Sequence, residues 1–329
     1  MKKVVCIGGG TGLFVTLSGL KKYKNLHLSA IVAMTDSGGS NRILRDEFGL
    51  LPTSDIRQCI VALASERSNS LLRNLFIYRY NQGTGITGMT FGNLFMAALA
   101  DIYGSQEKAI EETCKLFDIK GKIVPVTFDN CHLVARYENG QQVLGEHFID
   151  EPNEALGKYK IIELEVFPKA IPNPKAIAAI KSADMIVMGP GDLYTSILAN
   201  LVVPGISKAI CDSQAKKLFV VNLMTKFGQT AGFGARDHLK VVEKYIGKGS
   251  VDYCLVNKSK NLPMDIIKRY KEEKADLVKD DLGDSARPIV VRKALISKRI
   301  YQKPKSDTLV RSLVRHDPQK LARAICELL

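Results

Sequence analysis

A short aliphatic run, Val4 to Ile7, leads directly into Gly8-Gly9-Gly10-Thr11-Gly12, and an apolar helical pattern follows from Leu13 to Lys22. Few folds accommodate that order. Glycines let the chain leave a strand in a tight turn and bring backbone close to a ligand. The helix that starts there presents unpaired N–H groups and the positive end of its dipole, which suits phosphate. Strand, glycine turn and helix together open a parallel sheet covered by helices on both faces. The turn departs from the dinucleotide fingerprint G-x-G-x-x-G, because Leu13 stands where the last glycine belongs, and no Walker lysine follows.

The same alternation continues along the chain. Leu28 to Met34 reads as a second strand, and Asp55 to Ser65, Leu71 to Tyr80 and Gly92 to Tyr103 as helices. Met185 to Met188, Leu218 to Leu223 and Val251 to Asn257 read as later strands. Between them, Lys122 to Phe128, His132 to Tyr137 and Gln142 to Phe148 are short β-like stretches, with Glu138-Asn139-Gly140-Gln141 as a hairpin turn. The expected architecture is a doubly wound, Rossmann-like α/β domain over 1–329 with a mostly parallel sheet. A small antiparallel β insertion is expected at about 120–168, and a basic C-terminal segment at 286–329.

Net charge is +13, and eleven Lys and Arg against three Asp and Glu lie between Ala286 and Leu329. A single-stranded nucleic-acid platform needs stacking aromatics, and this segment offers only Tyr301. A basic rim that draws in an anionic small ligand suits the rest of the sequence better. Seven scattered cysteines without a C-x-x-C pair fit a reducing compartment. With no cleavable leader and no window of about 18 apolar residues, the sequence predicts a cytoplasmic protein without membrane insertion.

Three more loops follow strands. Thr35-Asp36-Ser37-Gly38-Gly39-Ser40 combines an acid with two hydroxyls and several backbone N–H groups, an anion nest or, through Asp36, an oxygen ligand for a cation. An Asp-capped turn explains only part of it. Gly189-Pro190-Gly191-Asp192-Leu193-Tyr194-Thr195-Ser196 brings an acid, a tyrosine and hydroxyls to a helix start, where Asp192 or Thr195 could serve as N-cap. Asn222 to Thr230 adds an amide, hydroxyls and Lys226. The chain has no G-x-S-x-G elbow, H-E-x-x-H, zinc spacing or kinase signature. Of its five histidines only His316 has charged residues on both sides in sequence.

GGGTG at 8–12, TDSGGS at 35–40, LPTSDIRQCIVALA at 51–64, FGNLFMAAL at 91–99, ADMIVMGPGDLYTSILANLVVPGI at 183–206, NLMTKFGQT at 222–230 and LVRHD at 313–317 resemble, in this order, the CofD/YvcK family. That family joins 2-phospho-L-lactate transferases of deazaflavin cofactor synthesis to YvcK-type gluconeogenesis factors, which bind UDP-sugars and affect cell-wall precursor flow and cell shape. GPGDLYTSILANL and RHD look like the YvcK branch. The resemblance implies a UDP-sugar ligand (UDP-GlcNAc or UDP-glucose) surrounded by Gly9, Gly10, Thr11, Gly12, Asp36, Ser37, Gly38, Gly39, Ser40, Asn93, Gly189, Gly191, Leu193 and Tyr194, with Arg315 as a phosphate or sugar contact. It also implies Mg2+ at Asp36, a protein partner in cell-wall precursor synthesis and a homo-oligomer. Two departures stand out: Ile43 occupies a family arginine position beside Arg42, and Ser37 replaces a second acid. The reading is a non-catalytic regulator. The alternatives are a 2-phospho-L-lactate transferase and an NAD-type oxidoreductase.

Overall fold

The computed structural model describes residues 1–65, 70–259, 261–284, 287–298 and 312–329; Tyr301 and the rest of 299–311 in the basic segment lie outside the described residues. Ten strands are formed among the described residues: β1 (Lys2–Gly8), β2 (Leu26–Val32), β3 (Lys122–Pro125), β4 (His132–Tyr137), β5 (Gln142–Leu144), β6 (Ile161–Phe167), β7 (Met185–Met188), β8 (Lys216–Val220), β9 (Tyr253–Asn257) and β10 (Ile289–Lys293). Seven lie side by side in the order β10-β9-β8-β7-β1-β2-β3, and every neighbouring pair is parallel. Val4 to Ile7 and Met185 to Met188 are at most 2% exposed. An unbroken apolar run is what a strand covered on both faces requires.

The other three strands form an antiparallel sheet, β5-β4-β6. Here the expectation needs one correction. Lys122 to Pro125 is not part of the insertion but the edge of the parallel sheet, in register with Ser29 to Val32. Ile123, Val124 and Val126 are buried at successive positions, the signature of a strand between two layers rather than of a hairpin with one wet face. Gln142 to Phe148 is also divided: β5 stops at Leu144, and a helical turn, Glu146–Asp150, begins after Gly145.

The chain runs outward from β1 through β2 to β3, then returns to β7 on the other side of β1 and runs outward again to β10. The reversal between β1 and β7 opens a crevice at the carboxyl ends of the strands, where doubly wound folds bind ligands. The helix α1 (Gly10–Leu20) leaves β1 at that point; α2 (Gly39–Phe48) follows β2, and α3 (Ser54–Leu63) packs against α1. The far side of α1 is covered by the helix Pro318–Cys326, so close that a Cβ on Gly19 would lie 2.0 Å from the Pro318 carbonyl oxygen. Among the described residues no single helix is long and apolar enough to cross a membrane; the apolar pair Leu193–Leu201 and Ile206–Asp212 is bent by 76° and sits in the core.

Candidate functional site

Loops from β2, β1, β7 and β8 border one cavity of about 580 Å³, joined by the insertion helix Glu146–Asp150, the helix Met264–Glu272 and residues 312–316. Three strand spacings separate β2 from β8, so the floor extends about 15 Å. That length suits an extended ligand rather than a lone phosphate.

Two helices point their N-termini into it. α1 starts after Gly9 and α2 after Gly38; neither has a side-chain cap or an acid in its first turn, so their first N–H groups keep the capacity to bind an anion. The glycines are required by crowding as well as by turning. A Cβ on Gly9 would lie 2.3 Å from Asp55 Oδ2, and one on Gly12 would lie 2.0 Å from the Pro190 carbonyl oxygen. The β1 and β7 loops therefore press backbone against backbone. Gly10 is different: its φ of +56° makes the turn, with nothing near where a Cβ would be.

Of the residues expected from sequence, Gly9, Gly10, Thr11, Gly12, Asp36, Gly38, Gly39, Ser40, Gly191 and Arg315 border the cavity. The other five do not. Leu193 and Tyr194 lie at 1% and 2% exposure in a π-helical turn; the Tyr194 hydroxyl donates to the Ile161 carbonyl (3.2 Å), anchoring the insertion to the main domain. Asn93 is buried beneath the floor, accepting from Arg57 Nε (3.2 Å) and donating to Ser40 Oγ (3.0 Å) and Ser54 Oγ (3.1 Å). Gly189, with φ of +83°, turns the chain out of β7. Ser37 ties the β2 loop to the insertion: its Oγ accepts from the His147 amide (3.1 Å), and its own amide donates to Glu146 Oε2 (3.4 Å). Arg42 is exposed and does not border the cavity, while Arg45 holds the loop by donating to the carbonyls of Met34 (2.7 Å) and Asp36 (3.1 Å).

The strongest electrostatic feature was not legible in sequence. Lys226 Nζ donates to Asp150 Oδ1 (2.6 Å) and Asp192 Oδ2 (2.8 Å), linking the insertion to the loops after β7 and β8. Asp150 Oδ1 also accepts from Thr195 Oγ1 (2.8 Å) and Gln229 Nε2 (2.9 Å). Neither expected cap is formed: Asp192 makes no side-chain capping bond, and Thr195 turns to Asp150. Although burial opposes its charge, Lys226 titrates above an ordinary lysine because Asp192 and Asp150 face it. Burial raises Asp36 as well, and burial with the facing charges of Asp36 and Asp150 pushes Glu146 well above the usual carboxylate range against the pull of Lys226.

Asp36 commits both oxygens to the loop, accepting from the Gly38 amide (2.9 Å) and the Asn41 side chain. Among the described residues no three carboxylate, imidazole or thiolate groups are arranged to hold a metal ion. The cavity wall carries seven carboxylates against four lysine and arginine side chains among the described residues, in a chain of net charge +13. Oxygen acceptors in that number suit a ligand with hydroxyl groups.

Residues 4–296 match the family model for the 2-phospho-L-lactate transferase CofD. The chain belongs to the CofD family. Within that family its relatives are gluconeogenesis factors: the Bacillus subtilis protein is 36% identical over 329 residues, covering 99% of this chain and 98% of that one. The Halalkalibacterium halodurans protein is 40% identical over 278 residues, 84% of each. A crystal structure of a Bacillus halodurans protein superposes with a TM-score of 0.88 at 35% identity over 99% of both chains. The CofD-family frame and the YvcK-type branch expected from sequence are therefore shown.

Proposed function

We propose that this protein binds a nucleotide sugar, UDP-GlcNAc or UDP-glucose, as a regulator of gluconeogenic growth, cell-wall precursor supply and cell shape. One observation carries the reading: two helix N-termini without side-chain caps open on a single cavity about 15 Å long whose remaining wall is rich in carboxylates. Backbone N–H groups of α1 and α2 suit the diphosphate, and carboxylates accept hydrogen bonds from sugar hydroxyls. The names of the gluconeogenesis-factor relatives support the physiological side. Calorimetry with UDP-GlcNAc and UDP-glucose tests the proposal; binding of neither refutes it.

The family description favours a second reading, transfer of a phospholactyl-type group from a nucleotide donor to a deazaflavin hydroxyl. Incubation with donor, deazaflavin and Mg2+ decides it, and absence of a phosphodiester product removes it.

A further inference from the structure

The loop after β7 carries a charged side chain past the α1 glycine turn. β7 and β1 are neighbours in the sheet, one strand spacing of about 5 Å apart. Pro190 and Gly191 press against that turn: a Cβ on Gly12 would meet the Pro190 carbonyl oxygen, and one on Gly191 would lie 3.7 Å from the Gly9 carbonyl oxygen. Asp192 comes next, and its backbone is fixed. Its carbonyl accepts from the amides of Ser196 and Ile197, both at 3.0 Å, and the preceding Gly191 amide donates to Asn222 Oδ1 (3.1 Å). An acid at this position ordinarily caps the helix it precedes. Asp192 makes no capping bond, and its side chain borders the cavity instead.

There its two oxygens differ. Oδ2 accepts from Lys226 Nζ (2.8 Å), which sets the direction of the side chain. Oδ1 accepts no hydrogen bond among the described residues, and it is not a buried orphan, for the side chain is 40% exposed toward the cavity. Other acids of the wall are more committed. Asp36 spends both oxygens on Gly38 and Asn41, and Asp150, at 23% exposure, takes Lys226, Thr195 and Gln229 on a single oxygen. An open carboxylate oxygen selects what can lie against it. A phosphate brings only acceptors and is repelled, whereas a hydroxyl donates, and the lone pairs of one carboxylate oxygen receive two neighbouring hydroxyls. Beside a diphosphate held at α1, such pairs belong to the rings joined to it: the ribose 2′,3′ pair on one side and the hexose 2,3 pair on the other.

We infer, on the nucleotide-sugar reading above, that Asp192 is the hydroxyl-reading residue of this site: Oδ1 accepts from a vicinal hydroxyl pair on a ring joined to the diphosphate, and Lys226 positions the carboxylate through Oδ2.

Calorimetry on the full chain with two ligand pairs tests the assignment and separates the two rings. UDP and 2′,3′-dideoxy-UDP differ only in the ribose hydroxyls, and UDP-glucose and UDP-2-deoxyglucose only in one hydroxyl of the hexose pair. Within each pair the phosphate charge is equal, so any change of field at the diphosphate cancels in the ratio of affinities. One pair is expected to show at least a tenfold preference for the fully hydroxylated ligand, the worth of a charged hydrogen bond, and Asp192→Ala should bring that preference below twofold. Should Asp192→Ala fail to fold, Asp192→Asn keeps the shape without the charge and should lower the preference at least threefold. No preference within either pair of the wild type, or a full preference retained by the variants, overturns the role of Asp192 alone. Binding of no uridine nucleotide and no UDP-sugar overturns the nucleotide-sugar reading and the role of Asp192 with it.

Discussion

Replacing Lys226 by methionine keeps an unbranched stem and removes the ammonium that holds Asp150 to Asp192. For a fully buried pair, loss of one partner costs about 3–5 kcal/mol, and for an exposed pair about 0–1 kcal/mol. This network lies between those limits: the side chains of Lys226, Asp150 and Asp192 are 33%, 23% and 40% exposed, all toward the cavity. Asp150 would still accept from Thr195 and Gln229. The uncompensated charge therefore falls mainly on Asp192, and the expected loss is about 2 kcal/mol, measured by urea unfolding at pH 7.5. The sign with pH follows from the same groups. Lys226 stays charged throughout the working range, so the wild type keeps its bridge, whereas in the variant the orphaned carboxylates take up protons as pH falls. The deficit should shrink toward pH 4. Lys226→Met combined with Asp192→Asn should recover about half of it. A loss below about 0.5 kcal/mol, or one unchanged at pH 4 and in the double variant, would refute the claim that the bridge holds the insertion on.

Gly12→Ala should destabilise by about 1–3 kcal/mol despite alanine's better helix propensity, because the Pro190 backbone cannot swing aside as a side chain would; an unchanged urea midpoint would contradict the loop packing. Glu146 has a raised folded-state pKa, so its contribution is fully present below its ordinary value of 4.5 and is lost as pH rises through the raised one. Thermal unfolding of Glu146→Gln should accordingly match the wild type near pH 4 and exceed it at pH 8. Arg315→Ala should weaken UDP-GlcNAc binding by roughly tenfold or more, the loss of a charged hydrogen bond, and unchanged affinity in a titration would place that guanidinium outside the ligand's reach.

The frame of the molecule was legible because its cause is local. β1, the glycine turn and α1 lie within residues 2–20, and Met185–Met188 ends at the same residues in sequence and structure. β3 was assigned to the wrong sheet because its neighbour, β2, lies some 90 residues earlier and no short-range pattern reports the pairing. The insertion helix, Glu146-His147-Phe148-Ile149-Asp150, is too short to show helical periodicity, yet it brings Glu146 and Asp150 to the site. Asp192 and Thr195 looked like caps because those residue types usually are; only a lysine 34 positions beyond Asp192 changes the role of its carboxylate. Leu193 and Tyr194, named from the family resemblance, lie in a π-helical turn and are buried.

The contact of Gly19 with Pro318 imposes an order of events on biosynthesis. Roughly 300 residues separate the two, and at about 5–20 residues per second the ribosome needs some 15–60 s to supply the second after the first. For that interval one face of α1 stays uncovered while the glycine turn it carries is already made. Residues 312–316, the wall beyond β8, emerge just ahead of the helix that closes on Gly19. The earliest segment of the cavity and its latest are thus joined in one closing step, and a nascent chain that has made every strand still lacks the wall that would close around a ligand.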